Sequence, residues 1–353
     1  MSNRFFPVMP SLTTHSLHPE NQESPIHFLK KRVIDTPLFY KRNHFPYPLL
    51  THSNYWLPIS GSVKKPTIFS LQDIINLPSK TLNVLLECAG NKRHFFEPKT
   101  FGEQWEKGAM SQGYWTGVPL RTLLDYSGIE AGAKEVVFEG YDFGTQPELT
   151  KMHRYVRSLP LVKALHPDTM IAYEYNEQPI PYKHGYPLRL IVPQWYGMAS
   201  VKWVKQIIVI DSSFQGPFQT KDYVYYPHKN SNKDSYPVTT MHVNSTIQQP
   251  LHMEILRTGI HTIEGIAWTG QGEISKVEIS IDNGETWADA KIMKGSKYEW
   301  TTWTYEWTVH QQGEYTILSK ATDSTERTQP YTAFWNRKGY GYHAMDHITV
   351  NIK

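Results

Sequence analysis

The chain of 353 residues is 39% hydrophobic and 20% charged, the make-up of an ordinary soluble globular protein with room for two cored domains. A formal charge of +3 is too weak for a polyanion; it excludes nucleic acid as the expected partner and leaves a mild preference for small anions. One cysteine excludes an intramolecular disulfide and any CxxC metal or haem-attachment motif.

Aromatic residues make up 13% of the chain and Pro outnumbers Gly, which favours a β-rich, loop-rich architecture over a helical bundle. Residues 1–35 are polar, punctuated by Pro7, Pro10, Pro19 and Pro25, and read as an extended arm rather than a packed element. They hold no apolar stretch suited to a signal peptide. No window approaches the roughly 18 apolar residues of a membrane span, so a cytoplasmic protein without membrane contact is expected.

Residues 36–230 alternate strand-like runs with turns. A helix is predicted over Leu71–Leu77 behind a Ser70 cap, followed by a buried strand over Leu82–Leu86. A second helix is predicted over Leu120–Tyr126, a strand over Val136–Phe138, and a third helix over Val156–Leu159. Strands over Leu188–Val192 and Val204–Ile210 close this part. Residues 216–245, rich in Tyr, Pro, Asn and Lys, read as a long connection.

Short alternating runs resume at Thr262: Ile263–Trp268, Val277–Ile281, Trp303–Trp307, Gly313–Ala321 and His347–Ile352. The Asp282-Asn283-Gly284 turn is a strong hairpin signal. About seven short strands here predict an antiparallel sandwich of immunoglobulin-like type over 240–353, held by its core alone. The expected fold class is therefore α+β and β-rich, with a mixed α+β domain at 36–230 ahead of that sandwich.

Cys88 carries the chemistry. A lone cysteine is ordinarily a small buried hydrophobe, but this one ends a buried strand and opens Cys88-Ala89-Gly90-Asn91-Lys92-Arg93. Gly90 permits close backbone approach to a ligand, and Asn91 can hold a turn through its side chain. The two cations are expected to lower the thiol pKa and attract anions. A soft thiolate suits a soft, high-valent metal, and zinc is disfavoured because no second cysteine or paired-histidine spacing accompanies it.

Cys88-Ala89-Gly90-Asn91 followed by a basic pair resembles the signature of the sulfite oxidase and assimilatory nitrate reductase family. Further segments agree in order: Arg42-Asn43-His44, Trp105–Ser111, Trp115–Leu120, His184–Arg189, Ser200–Trp203, Ile281–Trp287 and Phe334-Trp335-Asn336. The resemblance covers about residues 36–353. It implies molybdenum held by a pterin dithiolene with Cys88 as the protein ligand. It places His184, Arg189 and Lys202 on the polar end of the molybdopterin, Asn43, His44 and Ser200 near the pterin, and Asp142 near a cofactor contact. Cationic and backbone donors suit the phosphate of such a cofactor.

The resemblance further implies oxidation of sulfite to sulfate by oxygen-atom transfer. Arg42 and Arg93 match its substrate arginines, Trp105 an aromatic wall, and Tyr223 a tyrosine near the metal. Guanidinium groups suit a small oxyanion. Two departures stand out: Lys92-Arg93 replaces the usual Arg-Arg pair, and an arginine of the animal members falls at Arg337-Lys338. Neither a cytochrome b5-type segment nor a GxGxxG after a strand is present. No haem, flavin or NAD is expected, and electrons should pass to an external cytochrome or to oxygen. A homodimer through the C-terminal sandwich is implied. The competing readings are the same cofactor acting on nitrate or a sulfoxide, a non-enzymatic immunoglobulin-like binding protein, and a cysteine hydrolase pairing Cys88 with His44 or His184.

Overall fold

The computed structural model describes residues 11–50, 55–146 and 149–353. Two sheets build the part that carries Cys88. In the first, Lys80–Glu87 pairs antiparallel with Met110–Pro119, which pairs with Met170–Tyr175; Arg189–Ile191 and Gln178–Pro179 both join that last strand. Lys80–Glu87 is buried along most of its length. Leu85 faces the main core while Val84 and Leu86 face a second cluster with Cys88, Trp105 and Trp115, as the two-residue period of a strand requires. The second sheet runs Thr67–Ser70, Trp56–Gly61, Val204–Ile210, Glu135–Gln146, Leu149–Pro160, with one parallel pair between Trp56–Gly61 and Val204–Ile210.

The helix after Ser70 spans Leu71–Ile75, and its first turn is closed by a reciprocal cap: the Asp73 amide donates to Ser70 Oγ at 3.1 Å, and the Ser70 amide donates to Asp73 Oδ2 at 2.8 Å. A second helix, Leu120–Ser127, agrees with the sequence pattern. The helix predicted over Val156–Leu159 is absent. Those residues belong to the strand Leu149–Pro160, in which Tyr155, Arg157 and Leu159 face inward at every second position; the helical turn comes later, at Leu161–Ala164.

Residues 11–35 are not a free arm. Thr13–Leu17 and Glu20–Glu23 form a hairpin, and Asn21, Glu23, Ser24, Leu29 and Ile34 are buried. Polar groups made this stretch look unpacked, yet they are satisfied by distant segments: the Glu23 carboxylate accepts from the Gly108 amide at 2.9 Å, and the Asn43 amide donates to Asn21 Oδ1 at 2.8 Å. The first ten residues of the predicted arm lie outside the described residues.

Beyond residue 240 two sheets face one another. One orders Asn244–Gln249, Gly259–Trp268, Thr301–Val309 and Lys291–Met293; the other orders Ile255–Leu256, Asp346–Ile352, Gly313–Asp323, Ile274–Ser280 and Ala288–Asp289. Ile263, Ala267, Trp303 and Trp307 of the first meet Val277, Ile317 and Val350 of the second in a shared core. The opposite face of Gly259–Trp268 presents Ile266 and Trp268 to the main core of the preceding half. That strand is thus buried on both faces at its end, which brings the C-terminal sheets against the Cys88 loop.

Candidate functional site

A cleft opens at the end of strand Lys80–Glu87, walled by the segment Phe39–His44, Tyr155, and the stretch from His184 to Lys202. Arg42, Asn43, His44, Cys88, Asp142, His184, Arg189, Ser200, Lys202 and Tyr223 all line it. Of the predicted site residues, Arg93 and Trp105 alone stand behind its wall.

At one end lies the Cys88 thiol, with the Gly90 amide 3.4 Å from its sulfur. Burial pushes the thiol pKa up, and Arg42 and Arg93 oppose that. The expected lowering is therefore corrected: desolvation outweighs the cations, and Lys92 is not among them. Its Nζ donates to Asn244 Oδ1 at 2.7 Å and to the Ser245 carbonyl at 2.8 Å, deep against the C-terminal sheet. A thiol of this kind ionises when a metal takes the place of its proton.

Arg42 bonds the Asn43 carbonyl and lies 3.2 Å from His44 Nδ1. Desolvation, then the positive charges of Arg42 and Lys202, hold His44 well below the ordinary imidazole range, so it is neutral. Its Nε2 is 2.7 Å from the Tyr223 hydroxyl. Burial pushes the Tyr223 phenol up, so it stays protonated.

Arg93 is buried behind Cys88, donating from Nε to the Lys338 and Gly339 carbonyls and from a terminal nitrogen to Glu103. Its guanidinium packs on Tyr340 at 5.0 Å. Gly90 also makes room for Arg93; a Cβ there would fall 2.7 Å from the Arg93 guanidinium. Gly102 (φ +117°) and Gly339 (φ +62°) crowd the same side chain from two other segments, each leaving about 2.9 Å for a Cβ. Trp105 is fully buried in the cluster with Cys88 and Tyr40, and meets His15 edge-on at 4.7 Å. Of the C-terminal pair, Arg337 turns away to the Lys229 carbonyl and Asn232, while Lys338 approaches Asp222 at 3.8 Å.

The other end of the cleft is polar. Arg189 donates to the His184 carbonyl at 3.0 Å and packs on Trp115 at 5.2 Å, but its Nε has no partner. Asp142 Oδ1 is likewise buried without one. Desolvation pushes the Asp142 carboxyl up and the Lys202 amine down, and drives His184 far below the imidazole range. Lys202 holds the Arg42 carbonyl at 3.1 Å and Asn43 Oδ1. Ser200 Oγ accepts from the Val192 amide at 3.1 Å, which fixes the loop and leaves the hydroxyl proton for another acceptor.

Buried polar atoms without partners are rare. Those at Arg189 and Asp142 fit the heteroatoms of a polar ligand lying along the cleft. Among the described residues no group of three or more His, Cys, Asp or Glu side chains stands ready to hold a metal. A metal at Cys88 therefore needs further ligands from a non-protein group, and a pterin dithiolene fits that need.

Sequence reasoning missed several neighbours. Tyr155, which lines the cleft and donates to the Met198 carbonyl at 2.7 Å, was hidden by the helix reading of its strand. Asp222 and Tyr340, joined at 2.9 Å beside Tyr223, are far apart in sequence and left no local signal. Glu87, between the predicted strand Leu82–Leu86 and Cys88, has no role in the sequence reading.

Residues 44–218 match the oxidoreductase molybdopterin binding domain, and residues 235–352 match the Mo-co oxidoreductase dimerisation domain. "Sulfite oxidase, mitochondrial" of Mus musculus is 32% identical over 365 residues, covering 97% of this chain and 66% of its own length. "Nitrate reductase [NADH]" of Solanum lycopersicum is also 32% identical, over 370 residues, covering 95% of this chain and 40% of its own. The chain thus spans two-fifths to about two-thirds of these relatives. The sulfane dehydrogenase SoxCD structure from Paracoccus pantotrophus superposes with a TM-score of 0.83 at 24% identity, covering 100% of this chain and 95% of that one, and shows the shared fold. Fold and cleft together define a molybdopterin-binding protein of the oxidoreductase class. The chain belongs to the sulfite oxidase family.

Proposed function

We propose that this chain binds Mo-molybdopterin with Cys88 as its one protein ligand and oxidises sulfite to sulfate. The observation that carries the reading is the convergence of Arg42 and Tyr223 on Cys88 in a cleft whose lining also holds His184, Arg189, Lys202 and Asp142. The bound molybdenum supplies two-electron oxygen-atom transfer. His184, Arg189, Lys202 and Asp142 would hold the polar end of the pterin, with Asn43, His44 and Ser200 along its length. Arg42 would hold the oxyanion, and its desolvated setting strengthens that attraction. Neutral His44 can accept a hydrogen bond from the Tyr223 hydroxyl at 2.7 Å, which fixes the phenol ring at the cleft. Arg93 would add charge from behind Cys88 and Trp105 a dry wall.

The matches over 44–218 and 235–352 support a division into two domains near 36–230 and 240–353. The C-terminal strand order supports an immunoglobulin-like sandwich, and the dimerisation-domain match supports a homodimer through it. Electrons would pass to an acceptor outside these residues.

A second reading is nitrate reduction, favoured by identity to the Solanum lycopersicum nitrate reductase equal to that with the mouse sulfite oxidase. Steady-state assays separate them. Sulfite-dependent reduction of ferricyanide without nitrate-dependent oxidation of a reduced viologen supports sulfite; the opposite pattern overturns it.

A further inference from the structure

Arg157 is a buried cation that the chemistry above leaves unused. It sits on the inward face of strand Leu149–Pro160, two residues beyond Tyr155, whose ring stacks on His44 at 5.5 Å. Its exposure is 1%. Among the described residues no carboxylate lies within ion-pair distance of it, the Asp222 charge acts on it only from further off, and its Nε has no hydrogen-bond partner. A buried charge without a counter-ion is costly and is normally paired.

Its two contacts are specific. One terminal nitrogen donates to the Phe218 carbonyl, and the guanidinium carbon lies 5.4 Å from the centre of the Tyr223 ring. Phe218 opens the π-helical turn Phe218–Asp222, and Tyr223 follows its last residue. A single side chain therefore pins the start of a turn and underlies the ring just past its end. Such turns are rare and cluster at functional sites. Tyr223 in turn holds His44 at 2.7 Å, and His44 lies beside Arg42. The remaining cations are committed elsewhere: Lys338 faces Asp222, and Arg93 is tied to three carbonyls.

We propose that Arg157 is a positioning residue for anion binding: it fixes Tyr223 at the cleft and sets behind that ring a positive charge that a bound oxyanion balances. The proposal rests on the reading that the anion sits between Arg42 and Tyr223.

The test uses the molybdenum-loaded full chain and sulfate, a redox-inert oxyanion, as the probe in titration calorimetry. Arg157→Met is expected to weaken sulfate binding about tenfold or more at unchanged molybdenum content. Arg157→Lys, which keeps the charge and gives up the fork, is expected to weaken it about threefold. The KM for sulfite should rise in parallel while kcat changes less. In a Tyr223→Leu background Arg157→Met should cause a smaller further loss, because only its charge, and no longer its hold on that ring, is then removed.

Sulfate binding as tight as wild type in both variants, even with a lowered melting temperature, would mean a purely structural brace and overturn the proposal. Full additivity with Tyr223→Leu would overturn it as well. If Arg157→Met does not fold, Arg157→Lys reads the same constant. A wild-type protein that binds sulfate without oxidising sulfite counts against the sulfite reading and leaves Arg157 testable. One that binds no sulfate overturns the role given to Arg157.

Discussion

The indole Nε1 of Trp268 donates to the Glu87 carboxylate at 2.8 Å, so a residue of the C-terminal sheets hydrogen-bonds the residue immediately before Cys88. Asn91 supplies the second donor at 3.1 Å, and the Gly341 amide donates to the Ala89 carbonyl at 2.8 Å. The loop that presents Cys88 is therefore held as much by the C-terminal half as by its own strand. Burial pushes the Glu87 carboxyl up to about 7 despite these donors.

Trp268→Phe keeps the ring in the core and removes the donor to Glu87. Leaving a buried acceptor short of a partner costs about 1–3 kcal/mol. Thermal or denaturant unfolding should show a loss of that order, and the same variant should lose molybdenum more readily on dialysis. A change in neither quantity would detach Trp268 from the Cys88 loop.

Arg42→Gln is expected to raise the KM for sulfite by about tenfold to a hundredfold while molybdenum content stays near wild type, since a charge-assisted contact to the anion is lost. Loss of cofactor with an unchanged KM would move Arg42 to the pterin.

Arg189→Met should have the reverse signature. Its unpartnered Nε and its contact with His184 place it at the polar end of the cleft. Pterin released on denaturation, read by fluorescence after oxidation, should fall severalfold per mole of chain. A full complement of pterin would exclude that placement.

Lys92 gives a pH-dependent expectation. Burial lowers its pKa from 10.5 to about 8. Below pH 8 both folded and unfolded chains carry the proton, and the cost of burying the charge is fully present. Between about 8 and 10.5 the folded chain has lost the proton while the unfolded chain keeps it, so stability rises with pH. Relative to Lys92→Met, wild type should gain about 3 kcal/mol across that window in urea unfolding. A flat difference would show that Lys92 titrates normally.

The sequence carried the fold where its patterns were strong. The Ser70 cap, the strand ending at Cys88 and the run Val204–Ile210 all appear where the pattern put them. It failed where tertiary context overrode local preference. Val156–Leu159 is four residues with one apolar and one polar side chain on each side of its strand, so helix and strand periods cannot be told apart there. The segment 11–35 packs through side-chain bonds to distant partners, as Glu23 does with Gly108 and Arg32 with Glu299, and no local pattern encodes these.

Most of the site was legible because its residues lie in short motifs that resemble a known family. Lys92 and Gly90 were legible as motif letters but not as roles. What they touch, Asn244 and the Arg93 guanidinium, is set by folding at long range and by a turn that curls back on itself. Arg157 left no signal at all; its meaning comes from Phe218 and Tyr223, more than sixty residues on.

The central claim is that Cys88 sulfur binds molybdenum. X-ray absorption at the molybdenum edge, compared between wild type and Cys88→Ser loaded in the same host, tests it most directly. The account expects one sulfur neighbour to be lost from the metal in the variant, with the pterin retained and oxidation abolished. An unchanged sulfur count, or full turnover by Cys88→Ser, would contradict it.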